Sequence, residues 1–463
     1  MTSSSAAIAK FDLDTLTKFQ EEIHIPSDED EEITSNFYRE FRKTTWVSHI
    51  PSKMKANCSD TEVSFTANTT FHYLINTFIR QTFPALRVKK EYENDVQIAW
   101  PHNLGTNSTP KACFKIDDDT LQTIDYVWFD IHSQFFMKPG FRDHWNMCVG
   151  NLPMLENWTN FLPEFTSNVR QPWFYGKDFC MAVPMFLSSL SLFEHVYTIR
   201  PFITDLLRMR VKKGDGWIET MCNLKCLDGT GPNGQLRPPE LWGRYGYLHP
   251  TEFKWNKCRE KHTFYIEDVI ACDSVIPSSY GSVVTVQLDC KTPCKAFYWV
   301  AENLSAKENR NFSDYTTNKD NMYQGWNPIR SRSLMYSGNT RLEMADSDHS
   351  DKIEPWDFAI SPPSEAGYNM YSFACNPNSL DAEVGIVMNG MSVNLLCTLD
   401  NTDPYLKPVK NTEDKSILDE LRGDKRIVYN GTDKFIVKVR LLVTKKLTFS
   451  QDPKDKDKYN IIV

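Results

Sequence analysis

The sequence contains no run of about 18 consecutive apolar residues, the length a membrane-crossing helix needs, so no such helix is expected. Dense positive charge is also missing. Lys and Arg number 52 against 60 Asp and Glu, a net charge of −8. The most basic stretches, Lys445-Lys446 and the Lys–Asp alternation from Lys454 to Lys458, read as solvated surface. A nucleic-acid binder should present a basic face, so direct nucleic-acid binding is not expected. Met1–Lys10 lacks a basic stretch followed by a long apolar core, which leaves no visible secretory leader and makes a cytosolic chain the expectation. The 12 cysteines are spread from Cys58 to Cys397, unlike a small secreted scaffold, and reduced thiols are expected. Without a secretory route, the seven Asn-x-Ser/Thr sequons at Asn57, Asn68, Asn107, Asn157, Asn303, Asn311 and Asn430 carry little weight.

The chemistry of catalysis is equally sparse. Gly229 to Gly234 is Gly-rich but lacks the Lys-Ser/Thr that completes a phosphate-cradling loop, and no Gly-x-Ser-x-Gly elbow occurs. Cys222/Cys226 and Cys290/Cys294 are spaced more widely than zinc knuckles and read as thiols. His132 and His144 have no second ligand at metal-binding spacing. Asp117-Asp118-Asp119 and Asp346-Ser347-Asp348 lack the Gly and closing Glu of a calcium loop and suit solvated turns. No catalytic, cofactor-binding or metal-binding residue is therefore assigned, and an enzyme is not expected.

What the chain does have is aromatic residues, 13% of the total, which favour pleated surfaces and protein interfaces. A length of 463 residues predicts two or three domains. Residues 1–33 read as an N-terminal arm, with a short amphipathic pattern (Phe11, Leu13, Leu16, Phe19) and an acidic cluster from Asp28 to Glu32. Short apolar runs bounded by Pro, Gly, Asn and Asp then follow: Val63 to Phe71, Tyr73 to Ile79, Val96 to Trp100 and the aromatic Tyr126 to Met137, all read as strands. Trp173 to Val211, broken by Pro184 and Pro201, reads as three more. A Gly/Pro-rich stretch, 213–260, reads as a linker with a short helix opening at Thr251 as N-cap. Strand patterns resume at Thr263 to Ile270, Ser282 to Leu288, Ala296 to Ala301, Tyr368 to Ala374, Val384 to Met388 and Phe435 to Thr444. Polar insertions separate them at 305–326, 345–364 and 400–424, and 451–463 reads as a charged tail. The expectation is an all-β chain with 34–212 and 261–450 as two similar units.

One zone carries a resemblance. Gln171 to Arg200 is similar to a signature of capsid proteins of nucleocytoplasmic large DNA viruses, especially the iridovirus type. Its elements are Pro172-Trp173-Phe174-Tyr175, Gly176-Lys177-Asp178, Ala182-Val183-Pro184 and Glu194 to Ile199. Tyr126 to Asn151, Glu240 to Tyr245, Ala296 to Val300, Asn311 to Tyr315, Ser333 to Leu342, Tyr368 to Ala374 and the strand from Phe435 resemble further pieces in the family's order, over about residues 35–450. The chain departs from many relatives in lacking a Pro-Ser-Gly after Tyr371-Ser372-Phe373.

The resemblance implies two tandem eight-stranded jelly rolls, a double jelly roll. Three copies would form a pseudo-hexagonal homotrimeric capsomer that tiles an icosahedral virion shell assembled in the host cytoplasm. Neighbouring capsomers, minor capsid proteins and, through the arm, an internal viral membrane would be partners. The aromatics of Trp173 to Tyr175 and Phe297 to Trp299 would be core, and the long insertions of the second half outward tower loops. Two alternatives stay open: a minor capsid or membrane-shaping scaffold paralogue of the same fold, and a carbohydrate-binding jelly roll.

Overall fold

The computed structural model describes residues 46–462 apart from 139, 176–181, 189–190, 249, 380–384, 389–390, 401–432 and 454. The N-terminal arm and the 400–424 insertion thus lie outside the described residues, save Asp400.

Alternating apolar residues dictate two antiparallel sandwiches. In the first, one sheet runs Trp46–Lys53, Glu240–Leu248, Tyr73–Phe83, Phe165–Arg170, with Val183–Pro184 added beside Tyr73 and Leu74. The facing sheet runs Lys55–Cys58, Glu62–Thr66, Phe193–Thr198, Lys111–Ile116, Asp119–Asp125. Val63 and Phe65 are buried while their neighbours are not, as the period of two requires. In the second, one sheet runs Lys261–Asp273, Lys434–Asp452, Cys294–Asn303, Asn369–Ser372, with Ser278–Ser279 and Asp455–Ile462 added along Lys434–Asp452. The other runs Val283–Leu288, Val393–Leu399, Ile329–Tyr336, Asn339–Asp346. Leaving aside the added strands, the first sandwich is four strands on five and the second four on four.

The first sheet of the second sandwich has no solvent face along its centre. All ten residues of Cys294–Asn303 are buried. Phe297, Trp299 and Ala301 pack into the second sandwich with Val437, Val439 and Leu441. The intervening Ala296, Tyr298 and Val300 belong to the core of the first half, with Leu442, Leu447 and Phe449. This sheet is a wall shared by both halves, which is why Ala296–Ala301 reads as a continuous apolar run rather than an alternation.

Several expectations are corrected. Tyr126–Phe135 is a helix, not a strand: the Asp125 carboxylate accepts from the Trp128 amide at 3.0 Å and caps it. The helix is sealed between the halves and buried on almost every side, so the helical period is invisible in its residues. The 213–260 stretch is not all linker. Gly216–Thr220 completes a hairpin with Arg208–Lys213, and Glu240–Leu248 is an interior strand of the first sandwich. The helix there spans Pro250–Lys257, starting one residue before Thr251. The charged C-terminal segment is strand Asp455–Ile462; Tyr459 is buried and its hydroxyl donates to the Arg259 carbonyl at 2.5 Å. Of the expected outward insertions, residues 311–318 are instead buried, sealing the junction. Within Val384 to Met388, Ile386 makes only an isolated bridge to Cys294. Trp173–Tyr175 and Phe297–Trp299 are core as expected.

The wall predicts an asymmetry in mutational cost. Trp299 stacks on Phe297 at 5.0 Å between centroids and is fully buried. Trp299→Ala should cost about 3–5 kcal/mol. Val275→Ala, at a site 93% exposed, should change stability by less than about 0.5 kcal/mol. Denaturant midpoints check both, and similar costs for the two would contradict the burial of this strand.

Candidate functional site

The most organised chemistry lies at the junction of the halves, where side chains of the 126–135 helix and residues 102–107 meet the wall and the 311–326 and 364–369 loops. Three polar groupings form it.

The first surrounds Arg440, whose side chain is 2% exposed within an apolar strand. Its guanidinium donates to Asp125 of the first half at 2.5 Å and to Asp273 of the second at 2.5 Å. Burial alone lowers an arginine pKa, but the two carboxylates dominate and raise it above the ordinary value. The second centres on Glu302, buried near the end of strand Cys294–Asn303. It accepts from Lys307 at 3.1 Å, pairs with Lys438 at 3.4 Å and accepts from the Tyr126 hydroxyl. Both ammonium groups also reach the Tyr126 oxygen, at 3.1 and 2.9 Å.

The third grouping is the deepest. His102 is buried with Glu156 of the first half 2.8 Å from Nδ1 and Glu365 of the second 3.3 Å from Nε2. Tyr323 donates to Glu156 at 2.9 Å, and Asn151 contacts His102 Nε2 at 3.3 Å. Beside it, the Asp130 carboxylate accepts from Asn103 at 2.7 Å and from Tyr315 at 2.8 Å. Asn103 holds this geometry in the left-handed region, φ 54°, where Asn is better tolerated than most residues. Asn107 donates to Ser313 at 2.8 Å across the junction. Arg200 lies 3.8 Å above the Phe312 ring. Gly367, at φ +97°, is required: a Cβ there would stand 2.3 Å from the Tyr315 carbonyl oxygen.

Burial opposes the charge on His102, but the Glu365 and Glu156 carboxylates outweigh it and hold the pKa well above 6.5. Burial pushes Asp130 up to about 7, against the donors Ser313 and Tyr315. Asp314 is likewise pushed up to about 7 by burial, against its Thr316 donors. Glu365 goes the other way: burial would raise it, and His102 and Arg142 bring it below 4.5. These groups mostly satisfy one another, and most bridge the halves. The arrangement suits holding two bodies in one orientation rather than turning over a substrate.

The residues singled out in the sequence are not brought together here. His132 stacks on Phe136 at 5.2 Å and, with His144, lines an open, largely aromatic cavity of about 380 Å³ beside the wall. Cys290 and Cys294 are buried in the second core, and every described cysteine is a free thiol. Asp117, at φ 54°, makes a turn and accepts from the Leu192 amide at 2.7 Å. Among the described residues no group of His, Cys, Asp and Glu is arranged to hold a metal. The sequons Asn107, Asn303 and Asn311 are buried with their amides engaged, so a glycan at any of them is incompatible with the fold. Sequence reasoning missed the junction residues. Its one signal was charge inside apolar strands: Glu302 after Phe297–Ala301, and Lys438 and Arg440 among Val437–Leu442.

With this geometry in place, the fold is recognisable among solved structures. The PBCV-1 capsid quasi-atomic model superposes with a TM-score of 0.64, at 13% identity, covering 90% of this chain and 96% of that one. The Faustovirus major capsid protein gives 0.64 at 7% identity, covering 90% and 97%. The protein is thus of the double jelly-roll class. Residues 257–412 match the family described as large eukaryotic DNA virus major capsid protein. The major capsid protein of Simulium iridescent virus is 23% identical over 370 residues, 75% of this chain and 77% of that protein. That of Lymphocystis disease virus 1 is 22% identical over 387 residues, 79% and 82%. Over about three-quarters of its length the chain is thus similar to the major capsid proteins of large eukaryotic DNA viruses, those of iridoviruses among them.

The shifted groups fix the sign of a pH dependence. His102 has a raised pKa, so its contribution is complete below 6.5 and is lost as pH climbs through the raised value. Asp130 and Asp314, raised from 3.8 to about 7, favour the fold below 3.8 and lose that contribution as pH rises through about 7. Glu365 opposes this only in acid, its contribution being lost as pH falls through its lowered value. Melting temperature should therefore fall from about pH 5 to pH 8.5. Asp130→Asn with Asp314→Asn should flatten the slope between about pH 5 and 7.5. An unchanged slope in that double variant would contradict the assignment.

Proposed function

We propose that this chain is a structural capsid subunit that works by self-association, three copies closing into a pseudo-hexagonal capsomer that tiles an icosahedral virion shell. The observation that carries the reading is the wall shared by the two sandwiches. It makes two jelly rolls into one body, so a ring of three chains presents six sandwiches in fixed orientation. Homology to iridovirus major capsid proteins supports the same role. A heterologous contact that closes on itself is the symmetry such a ring requires.

In this reading the capsomers assemble in the host cytoplasm and contact neighbouring capsomers and minor capsid proteins. The arm, residues 1–33, faces inward towards an internal membrane. The first jelly roll runs from 34 to 248 and the second from 261 to 462, with 249–260 as the link, because Glu240–Leu248 pairs within the first sandwich.

Size-exclusion chromatography of the purified chain with in-line mass measurement tests it. A stable species of three chains is expected. A monomer at every accessible concentration sinks the reading.

A further inference from the structure

Two exposed surfaces, one on each half of the chain, have complementary character. One belongs to the first half. The Arg210 guanidinium lies between two indoles, 4.7 Å from the Trp158 ring and 4.9 Å from the Trp217 ring, and its fork is fixed on Gln97. Ile218 and Met221 are exposed beside this stack. Arg310 of the second half donates to the Met221 sulfur at 3.0 Å, tying the hairpin to the body. Trp, Arg and Met are the residues enriched in the buried centres of interfaces. Over 208–220 the chain carries four cations against two carboxylates. Arg208 and Glu219 neutralise each other at 2.7 Å, which leaves Arg210, Lys212 and Lys213 against Asp215.

The other surface is a knob at the outer edge of the second sandwich, between strand Asn339–Asp346 and edge strand Asn369–Ser372. Trp356 is 79% exposed and Ile353 is exposed near it. The underside is pinned: Ser350 donates to Asn369 at 3.0 Å, Asn327 donates to Asp351 at 3.3 Å, and His349 bonds Arg332 at 2.9 Å. Residues 346–357 carry five carboxylates against one lysine. An anchored loop that holds an indole and an isoleucine in water is ordered before any partner arrives, which lowers the entropy cost of docking.

We infer that the Trp356 knob of one copy docks on the Trp158–Arg210–Trp217 face of the next, head to tail. The occupant is a second copy of this chain, argued from charge complementarity: an acidic aromatic knob fits a basic aromatic face, and each surface repels its own kind. Knob and face lie on different halves, so the contact is heterologous, and it closes into a ring of three when each copy is turned by a third of a rotation. The inference rests on the capsomer reading and names its surfaces.

Charge reversal tests it on the full chain, using positions exposed to solvent. K212E/K213E and D346K/D357K should each raise the concentration at which the trimer half-dissociates by at least about tenfold. The chain carrying all four changes restores opposite charges at every contact and should return to within about threefold of wild type. W356A should weaken the trimer by about thirtyfold or more. If either charge-reversed pair leaves the wild-type midpoint in place, or the fourfold variant is no tighter than the weaker pair, the pairing of these surfaces is wrong while the capsomer reading stands. A wild type that never trimerises sinks both.

Discussion

One sheet with both faces buried governs this molecule. Strands Cys294–Asn303 and Lys434–Asp452 send alternate residues into two different cores. A pleated strand has no third direction, so these residues cannot be polar on either side without a partner. Tyr298 shows the consequence: it is buried against Trp128, Phe135 and Phe136 of the first half while Phe297 and Trp299, its neighbours in sequence, fill the second sandwich. Neither half closes its core without the other.

The charges on the wall follow from the same constraint. Arg440, Lys438 and Glu302 sit where apolar residues would be simpler, and each finds a counter-charge on the wall or across the junction. Buried ion pairs are weak sources of net stability, because desolvation offsets much of the attraction. They are strict about geometry, however, since a shifted partner leaves a buried charge alone. An apolar junction tolerates sliding. One stapled at Arg440, Glu302 and His102 fixes how the two sandwiches face each other.

Much of the fold was legible in the sequence, through the period-two alternation of Val63 and Phe65 or of Phe435, Val437, Val439 and Leu441. The failures share one cause. The 126–135 helix is buried on nearly all sides, so it has lost the 3.6-residue period that distinguishes a helix from a strand. The Glu240–Leu248 strand follows a Gly/Pro-rich stretch and was absorbed into it. Residues 311–318 look like surface because they are Asn, Ser, Asp and Thr, yet they are buried by bonding to each other and to the first half. The junction itself was nearly invisible. Its residues come from distant parts of the chain, and each alone reads as an ordinary charge.

If the wall joins both cores, the halves must unfold together. Differential scanning calorimetry of the purified chain, under conditions where it is monomeric, measures this directly through the ratio of calorimetric to van't Hoff enthalpy. The account predicts a single transition with a ratio near unity. Two resolved transitions, each carrying about half the enthalpy, would show two independently stable sandwiches and contradict it.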